Sequence, residues 1–225
     1  MKSPKPNTPG ALLFDLDGTL ADTAPDLAAA VNLLRTQSGL SPTAYELLRP
    51  VASAGARGLI GVAFNKTPQD QGYDALRIAF LENYAAQIAD NTTLFEGVTS
   101  LLHDINKLNL LWGIVTNKPA RFTDALLPKI GLQHAACVIS GDTTAHAKPH
   151  PEPLFEAARR LNLEPQQCWY VGDDLRDIEA GKAAGMFTIA AAWGYCGNTA
   201  PLSWGADIIV DTPFSLLAFL HTHKT

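Results

Sequence analysis

Two hydrophobic patterns divide the chain. Between residues 22 and 90 the apolar positions recur at helical spacing. Leu27, Val31 and Leu34 form one stripe, and Leu76, Phe80 and Tyr84 step along another. Asp22-Thr23-Ala24-Pro25 predicts a helix start and Gly39 a stop, and Ser41-Pro42 and Thr67-Pro68 repeat the cap-then-proline signature. Outside that stretch the apolar residues come in short unbroken runs, at 11–14, 110–115, 135–140, 168–171, 187–192 and 208–210. Runs without polar alternation predict strands buried on both faces, and their alternation with helical stretches predicts right-handed βαβ units in one parallel sheet. An α/β fold is therefore expected, with 1–21 and 91–225 forming the sheet core and 22–90 a helical insertion directly after the first strand.

Composition narrows the class. The 225 residues carry 17 Lys and Arg against 22 Asp and Glu, a net charge of −5 that gives no electrostatic case for nucleic acid or an anionic membrane as partner. No apolar run approaches the roughly 20 residues that span a bilayer. The first ten residues hold three prolines and no long apolar centre, so no export signal is expected, and the sequons at Asn65 and Asn91 are read as chance. Three isolated cysteines cannot build a closed disulfide framework, which points to a reducing, cytoplasmic location.

The residues that carry chemistry fall at the expected carboxyl ends of strands, where open α/β sheets bind ligands. The first strand runs into Asp15-Leu16-Asp17-Gly18-Thr19. Two carboxylates at i and i+2 of an extended segment share a side, a costly arrangement unless a cation or a shared proton offsets it, and Gly18 permits a sharp turn with its N–H near a ligand. A plain turn rich in Asp explains this segment equally well by itself. The second strand ends in Thr116-Asn117-Lys118-Pro119, suited to an anionic oxygen at a helix start or, more simply, to capping. Lys148 sits in a Pro-rich loop. His146, His150 and Glu152 match no common zinc spacing. Gly172-Asp173-Asp174-Leu175-Arg176-Asp177 concentrates three carboxylates at a strand-to-helix turn, hard oxygen ligands that suit Mg²⁺, although one of them is expected to cap the helix.

The ordered series D-x-D-G-T, T-N after an apolar run, K-P and G-D-D-x-x-D resembles the four motifs of the haloacid dehalogenase-like phosphatase superfamily, with its Rossmann-like core. The insertion after the first motif resembles the C1 cap of subfamily IA. The segments at 149–153, 172–174 and 192–195 are similar to the phosphoglycolate phosphatase group. Those at 55–57, 111–113 and 204–207 are similar to the N-acetylmuramic acid 6-phosphate phosphatases within it. The resemblance implies an Mg²⁺-dependent phosphomonoesterase acting on a small carboxylated phosphate ester, phosphoglycolate or alternatively N-acetylmuramic acid 6-phosphate. Asp15 would be the nucleophile that forms an aspartyl-phosphate, and Asp17 the acid and then the base. Asp15, the Asp17 carbonyl and Asp173 would hold the metal, with Asp174 or Asp177 reaching it through water. Thr116, the Asn117 N–H and Lys148 would bind the non-transferring oxygens.

Other chemistries fit the residues less well. A dehalogenase has no need of an acid at Asp17, and a phosphonate hydrolase needs a cap lysine where only the ill-placed Lys66 occurs. A sugar-phosphate mutase remains open to sequence reasoning. A phospho-receiver module is about half this length and lacks a helical insertion. A small phosphorylated metabolite is thus the expected partner, with monomer and homodimer both open. Among the cap cations, Arg57 follows the small-residue stretch Ser53-Ala54-Gly55-Ala56 and is expected to open a helix at 58–64. It is the candidate partner for a substrate carboxylate. Arg35, Arg49 and Arg77 are expected to be solvated.

Overall fold

The computed structural model describes residues 8–197 and 199–222; residues 1–7 of the proline-rich tail lie outside them. The chain runs β1 (Ala11–Phe14), the two-residue β2 (Ala21–Asp22), α1 (Ala24–Gln37), α2 (Tyr45–Leu48), a 3-10 turn (Arg49–Ala54), α3 (Gly55–Phe64) and α4 (Tyr73–Ala86). It continues through β3 (Thr93–Leu94), α5 (Val98–Lys107), β4 (Leu111–Val115), α6 (Ala120–Leu126), β5 (Cys137–Ile139) and α7 (Glu152–Arg160). The last elements are β6 (Cys168–Gly172), α8 (Leu175–Ala183), β7 (Phe187–Ala191), β8 (Ile208–Val210) and α9 (Pro213–Thr222).

Six strands form the parallel sheet in the order β5-β4-β1-β6-β7-β8. This is the α/β arrangement that the unbroken apolar runs require. All four residues of β1 are buried, as are all five of β6, because helices cover both faces. β1 lies between β4 and β6, so the carboxyl ends of the three strands that carry the acidic and Thr-Asn motifs are immediate neighbours.

Two-residue strands carry no readable periodicity, and β2 and β3 were not expected. They pair antiparallel, Ala21 with Leu94 and Asp22 with Thr93, tying together the chain's entry to the helical stretch and its exit. Within that stretch α1 packs on α4. Leu27, Val31, Phe80 and Tyr84 belong to the same apolar cluster as Leu12 and Phe14 of the sheet. Truncating a buried aromatic such as Phe80 to Ala costs about 3–5 kcal/mol in such a setting.

Several helix starts differ from expectation. Ser41-Pro42 leads into irregular chain and Thr67-Pro68 into a turn, neither directly into a helix. Asp70 accepts hydrogen bonds from the Thr67 N–H and hydroxyl, and the helix waits until Tyr73. Residues 45–64 are, contrary to the apolar-run reading, long and apolar enough to cross a membrane, with mean hydropathy 1.2. They are broken into α2, the 3-10 turn and α3, with Gly55 at φ +57°, and bury Leu48, Ala52, Leu59 and Ile60 in the interior. α3 begins at Gly55, three residues before the expected start, which places Arg57 inside its first turn.

Candidate active site

The carboxyl ends of β1, β4 and β6 form the floor of a cavity of about 220 Å³, and the helical stretch forms its roof. Asp15 stands at the centre of the floor. Its Oδ1 lies 2.9 Å from Lys148 Nζ, within ion-pair range, yet makes no hydrogen bond. The Lys148 ammonium donates to Val115 O (2.9 Å), Tyr170 OH (2.7 Å) and Asp177 Oδ1 (2.7 Å). Burial would lower the Lys148 pKa, but Asp15 and Asp177 more than offset it and hold the lysine charged. Burial raises the Asp15 carboxyl to about 7, with Lys148 pulling it down and Asp177 pushing it up.

Asp173 is fully buried and accepts hydrogen bonds from Thr19 Oγ1 (2.8 Å) and the Tyr195 N–H (2.9 Å). Burial, then the charges of Asp15 and Asp177, raise its pKa well above the usual carboxylate range. Ligand atoms of Asp15, Asp173 and Asp177 lie within 4.8 Å of one another. Such proximity needs the glycines around it. A Cβ on Gly18, at φ +94°, would stand 2.2 Å from Asp173 Oδ2, and one on Gly194 would stand 2.2 Å from Asp173 Cβ and 2.4 Å from the Gly18 carbonyl.

Three buried carboxylates around one ammonium leave an excess of negative charge, and Asp15 Oδ1 lacks a hydrogen bond. Both observations fit a small divalent cation held by oxygen ligands. The Ser53 hydroxyl reaches from the roof to within 3.5 Å of the Asp17 carbonyl oxygen and 3.4 Å of Asp173 Oδ2, so that carbonyl borders the same spot. Asp174 is turned elsewhere. It caps α8 and pairs with Arg176 at 2.7 Å, while Asp177 accepts from the Asp174 N–H and completes the capping box. Of the two residues left open by the sequence, Asp177 therefore belongs to the carboxylate cluster and Asp174 to the helix start.

Asp17 also lines the cavity. Its Oδ1 accepts a 2.5 Å hydrogen bond from Thr23 Oγ1 and pairs with Lys118 Nζ at 3.0 Å. Thr23, expected to cap α1, gives its hydroxyl to Asp17 instead. Burial would lower the Lys118 pKa, but Asp17 and Tyr84 override it and raise it. Thr116 is buried and accepts from the Lys118 N–H. The Asn117 amide clasps the Lys148 backbone, donating to its carbonyl at 2.9 Å and accepting from its N–H at 3.0 Å.

The structure therefore gathers Asp15, Asp17, Thr116, Asn117, Lys148, Asp174 and Asp177 around one cavity, with Gly18 and Asp173 packed beneath. It does not bring Arg57 there. Ala56 lines the cavity, but Arg57, one residue on and about 100° further round α3, is exposed and outside the lining. Arg49 is also not simply solvated, pairing with Asp22 at 2.7 Å, and Arg35 donates to the carbonyls of Ser41 and Ala63. The lining includes Lys118, Arg77 and Arg176, to which the sequence reading assigned no role. Lys118 was visible at the same strand end as Thr116. Arg77 and Arg176 gave no local signal beyond their charge.

A family model described as haloacid dehalogenase-like hydrolase matches residues 12–191. An N-acetylmuramic acid 6-phosphate phosphatase of Pseudomonas putida is 47% identical over 208 residues, covering 92% of this chain and 93% of that protein. A phosphoglycolate phosphatase of Xanthomonas campestris pv. campestris is 46% identical over 207 residues, covering 91% and 93%. The crystal structure of a predicted phosphoglycolate phosphatase from Haemophilus somnus shares the fold with a TM-score of 0.84 at 25% identity, over 95% of this chain and 98% of that one. With the four motifs converging on one cavity and relatives of this length and similarity, the chain belongs to the haloacid dehalogenase-like hydrolase family, among its phosphatases.

Proposed function

We propose that this cavity hydrolyses small carboxylated phosphomonoesters with Asp15 as nucleophile. The observation that carries the reading is Asp15 itself, a buried carboxylate facing the cavity between Lys148 and two further carboxylates, with one oxygen left without a hydrogen bond. An Asp15 oxygen bonds to phosphorus as the ester P–O bond breaks, and Asp17 delivers a proton to the departing alcohol oxygen. A water then gives its proton back to Asp17 and attacks the same phosphorus, releasing phosphate and freeing Asp15. Thr116, the Asn117 N–H and Lys148 hold the non-transferring oxygens, where positioning and charge neutralisation are most of what phosphoryl transfer requires. Asp15, the Asp17 carbonyl, Asp173 and Asp177 are the groups that would hold Mg²⁺. When bound, Mg²⁺ supplies positive charge against the phosphoryl oxygens.

Residues 22–90 serve in this reading as a cap over the cavity, hinged where β2 meets β3. Phosphoglycolate and N-acetylmuramic acid 6-phosphate, named in the relatives, are the first substrates to test. A reducing cytoplasm suits the three free cysteines. Phosphate release from a panel of phosphomonoesters, with Mg²⁺ and with excess chelator, tests the proposal. Hydrolysis that stops in chelator supports it, and undiminished hydrolysis in chelator overturns it.

A further inference from the structure

The roof of the cavity carries unspent polar groups on one face of α4. Arg77, Phe80, Leu81 and Tyr84, at i, i+3, i+4 and i+7, all line it. Tyr84 is only 1% exposed, yet its hydroxyl has no hydrogen-bond partner among the described residues. Lys118 Nζ lies 4.7 Å from the centre of its ring, near enough for its charge to act on the hydroxyl, but makes no well-directed hydrogen bond with it. Buried tyrosine hydroxyls ordinarily find a partner, and leaving one unpaired costs about 1–3 kcal/mol. Arg77 is likewise without a hydrogen bond or ion pair among the described residues, and it is exposed while lining the cavity, which puts it at the mouth. The wall between the two is apolar. Phe80 stacks on Tyr84 with ring centres 6.5 Å apart, and Phe122 meets Tyr84 at 5.4 Å.

Such a surface is poorly matched to glycolate, which has one methylene to bury and a carboxylate that the apolar wall would strip of water. It is well matched to a larger leaving group with methyl groups for the wall, an amide oxygen for a phenolic donor and a carboxylate for a guanidinium at the rim. We infer that the α4 face is the leaving-group subsite and that it selects a carboxylated N-acyl amino sugar 6-phosphate over a two-carbon acid. Tyr84 donates to an acceptor of the acylated sugar and Arg77 pairs with the carboxylate. The inference rests on the phosphatase reading and narrows it to one of the two substrate classes named in the relatives.

The test compares N-acetylmuramic acid 6-phosphate, N-acetylglucosamine 6-phosphate, phosphoglycolate and an aryl phosphate with the wild type, Tyr84→Phe, Arg77→Gln and Arg57→Ala. The wild type is expected to favour the first over phosphoglycolate by about tenfold or more in kcat/KM. Arg77→Gln should shrink the preference for the carboxylated over the uncarboxylated sugar about tenfold. Tyr84→Phe should lower kcat/KM about 5–20-fold on both sugars and by a smaller factor on the aryl phosphate, and Arg57→Ala should alter no ratio. Calorimetry on Asp15→Asn protein reads the subsite without turnover. There the carboxylated sugar should bind more tightly than phosphoglycolate, and adding Tyr84→Phe should remove most of the difference. Preference for phosphoglycolate in both turnover and binding, or ratios unmoved by Tyr84→Phe and Arg77→Gln, would overturn the inference. Absence of phosphate release from every ester with sugar binding retained would instead count against the phosphatase reading alone.

Discussion

Lys118 Nζ lies 3.0 Å from Asp17 Oδ1, with both side chains nearly closed off from water. The two carboxylates of the first motif are thus divided between two buried lysines, Asp15 with Lys148 and Asp17 with Lys118. This division offsets the repulsion that the i, i+2 spacing creates, and it does so with one residue after β4 and one from the loop between β5 and α7.

Removing Lys118 should therefore act on Asp17. Lys118→Met keeps the bulk of the side chain but leaves Asp17 with Thr23 as its remaining side-chain partner. We expect kcat/KM to fall about 10–100-fold and stability to drop by about 2 kcal/mol, because water in the cavity partly solvates the orphaned carboxylate. Urea unfolding together with steady-state kinetics checks both, and unchanged kinetics would detach Lys118 from the reaction.

Asp15→Asn should abolish turnover while the fold survives, since the amide is nearly isosteric but a poor nucleophile. Its effect on stability depends on pH. In metal-free protein the Asp15 pKa stands at about 7 against 3.8 unperturbed, so the folded chain holds the extra proton between those values. The Asp15 contribution to wild-type stability in chelator should therefore be lost as pH rises from about 4 to about 7. The asparagine variant lacks that contribution while keeping the one from Asp173, so its Tm advantage should widen across the same window. A constant Tm difference between pH 4.5 and pH 8 would contradict the assignment.

Gly194→Ala places a methyl where the Asp173 side chain and the Gly18 carbonyl already stand. One of them must move, and both border the proposed Mg²⁺ site. The expected result is weaker Mg²⁺ activation, by about tenfold or more in the half-saturating concentration, in a protein that still folds. Magnesium titrations of activity at fixed substrate read it directly.

Arg176 Nη2 donates to the Ser53 carbonyl at 2.9 Å while its guanidinium pairs with Asp174, linking floor to roof beside the carboxylate cluster. Arg176→Ala should loosen that link and raise KM about 3–10-fold with a smaller change in kcat. An effect confined to kcat would place Arg176 in the chemical step instead.

The sheet was legible in the sequence because strands buried on both faces leave unbroken apolar runs. β1 lies at 11–14 as expected, and the other five runs each hold a strand within two residues of the expected bounds. The candidate residues of the motifs were legible for a related reason. All but Lys148, which lies in the loop between β5 and α7, sit on short local turns at strand ends, and topology brings neighbouring strand ends together. Partnership was decided only by the tertiary structure. Nothing local pairs Lys118 with Asp17 or aims Arg176 at Ser53, since those contacts join residues 101 and 123 positions apart in the chain. The same holds for the roof. A shift of three residues in the start of α3 and one step of helical rotation put Ala56 in the cavity and Arg57 outside it, while α4 placed Tyr84 in the wall and Arg77 at the mouth. Periodicity shows which face of a helix is buried, but only the packed neighbours decide which part of that face borders a cavity.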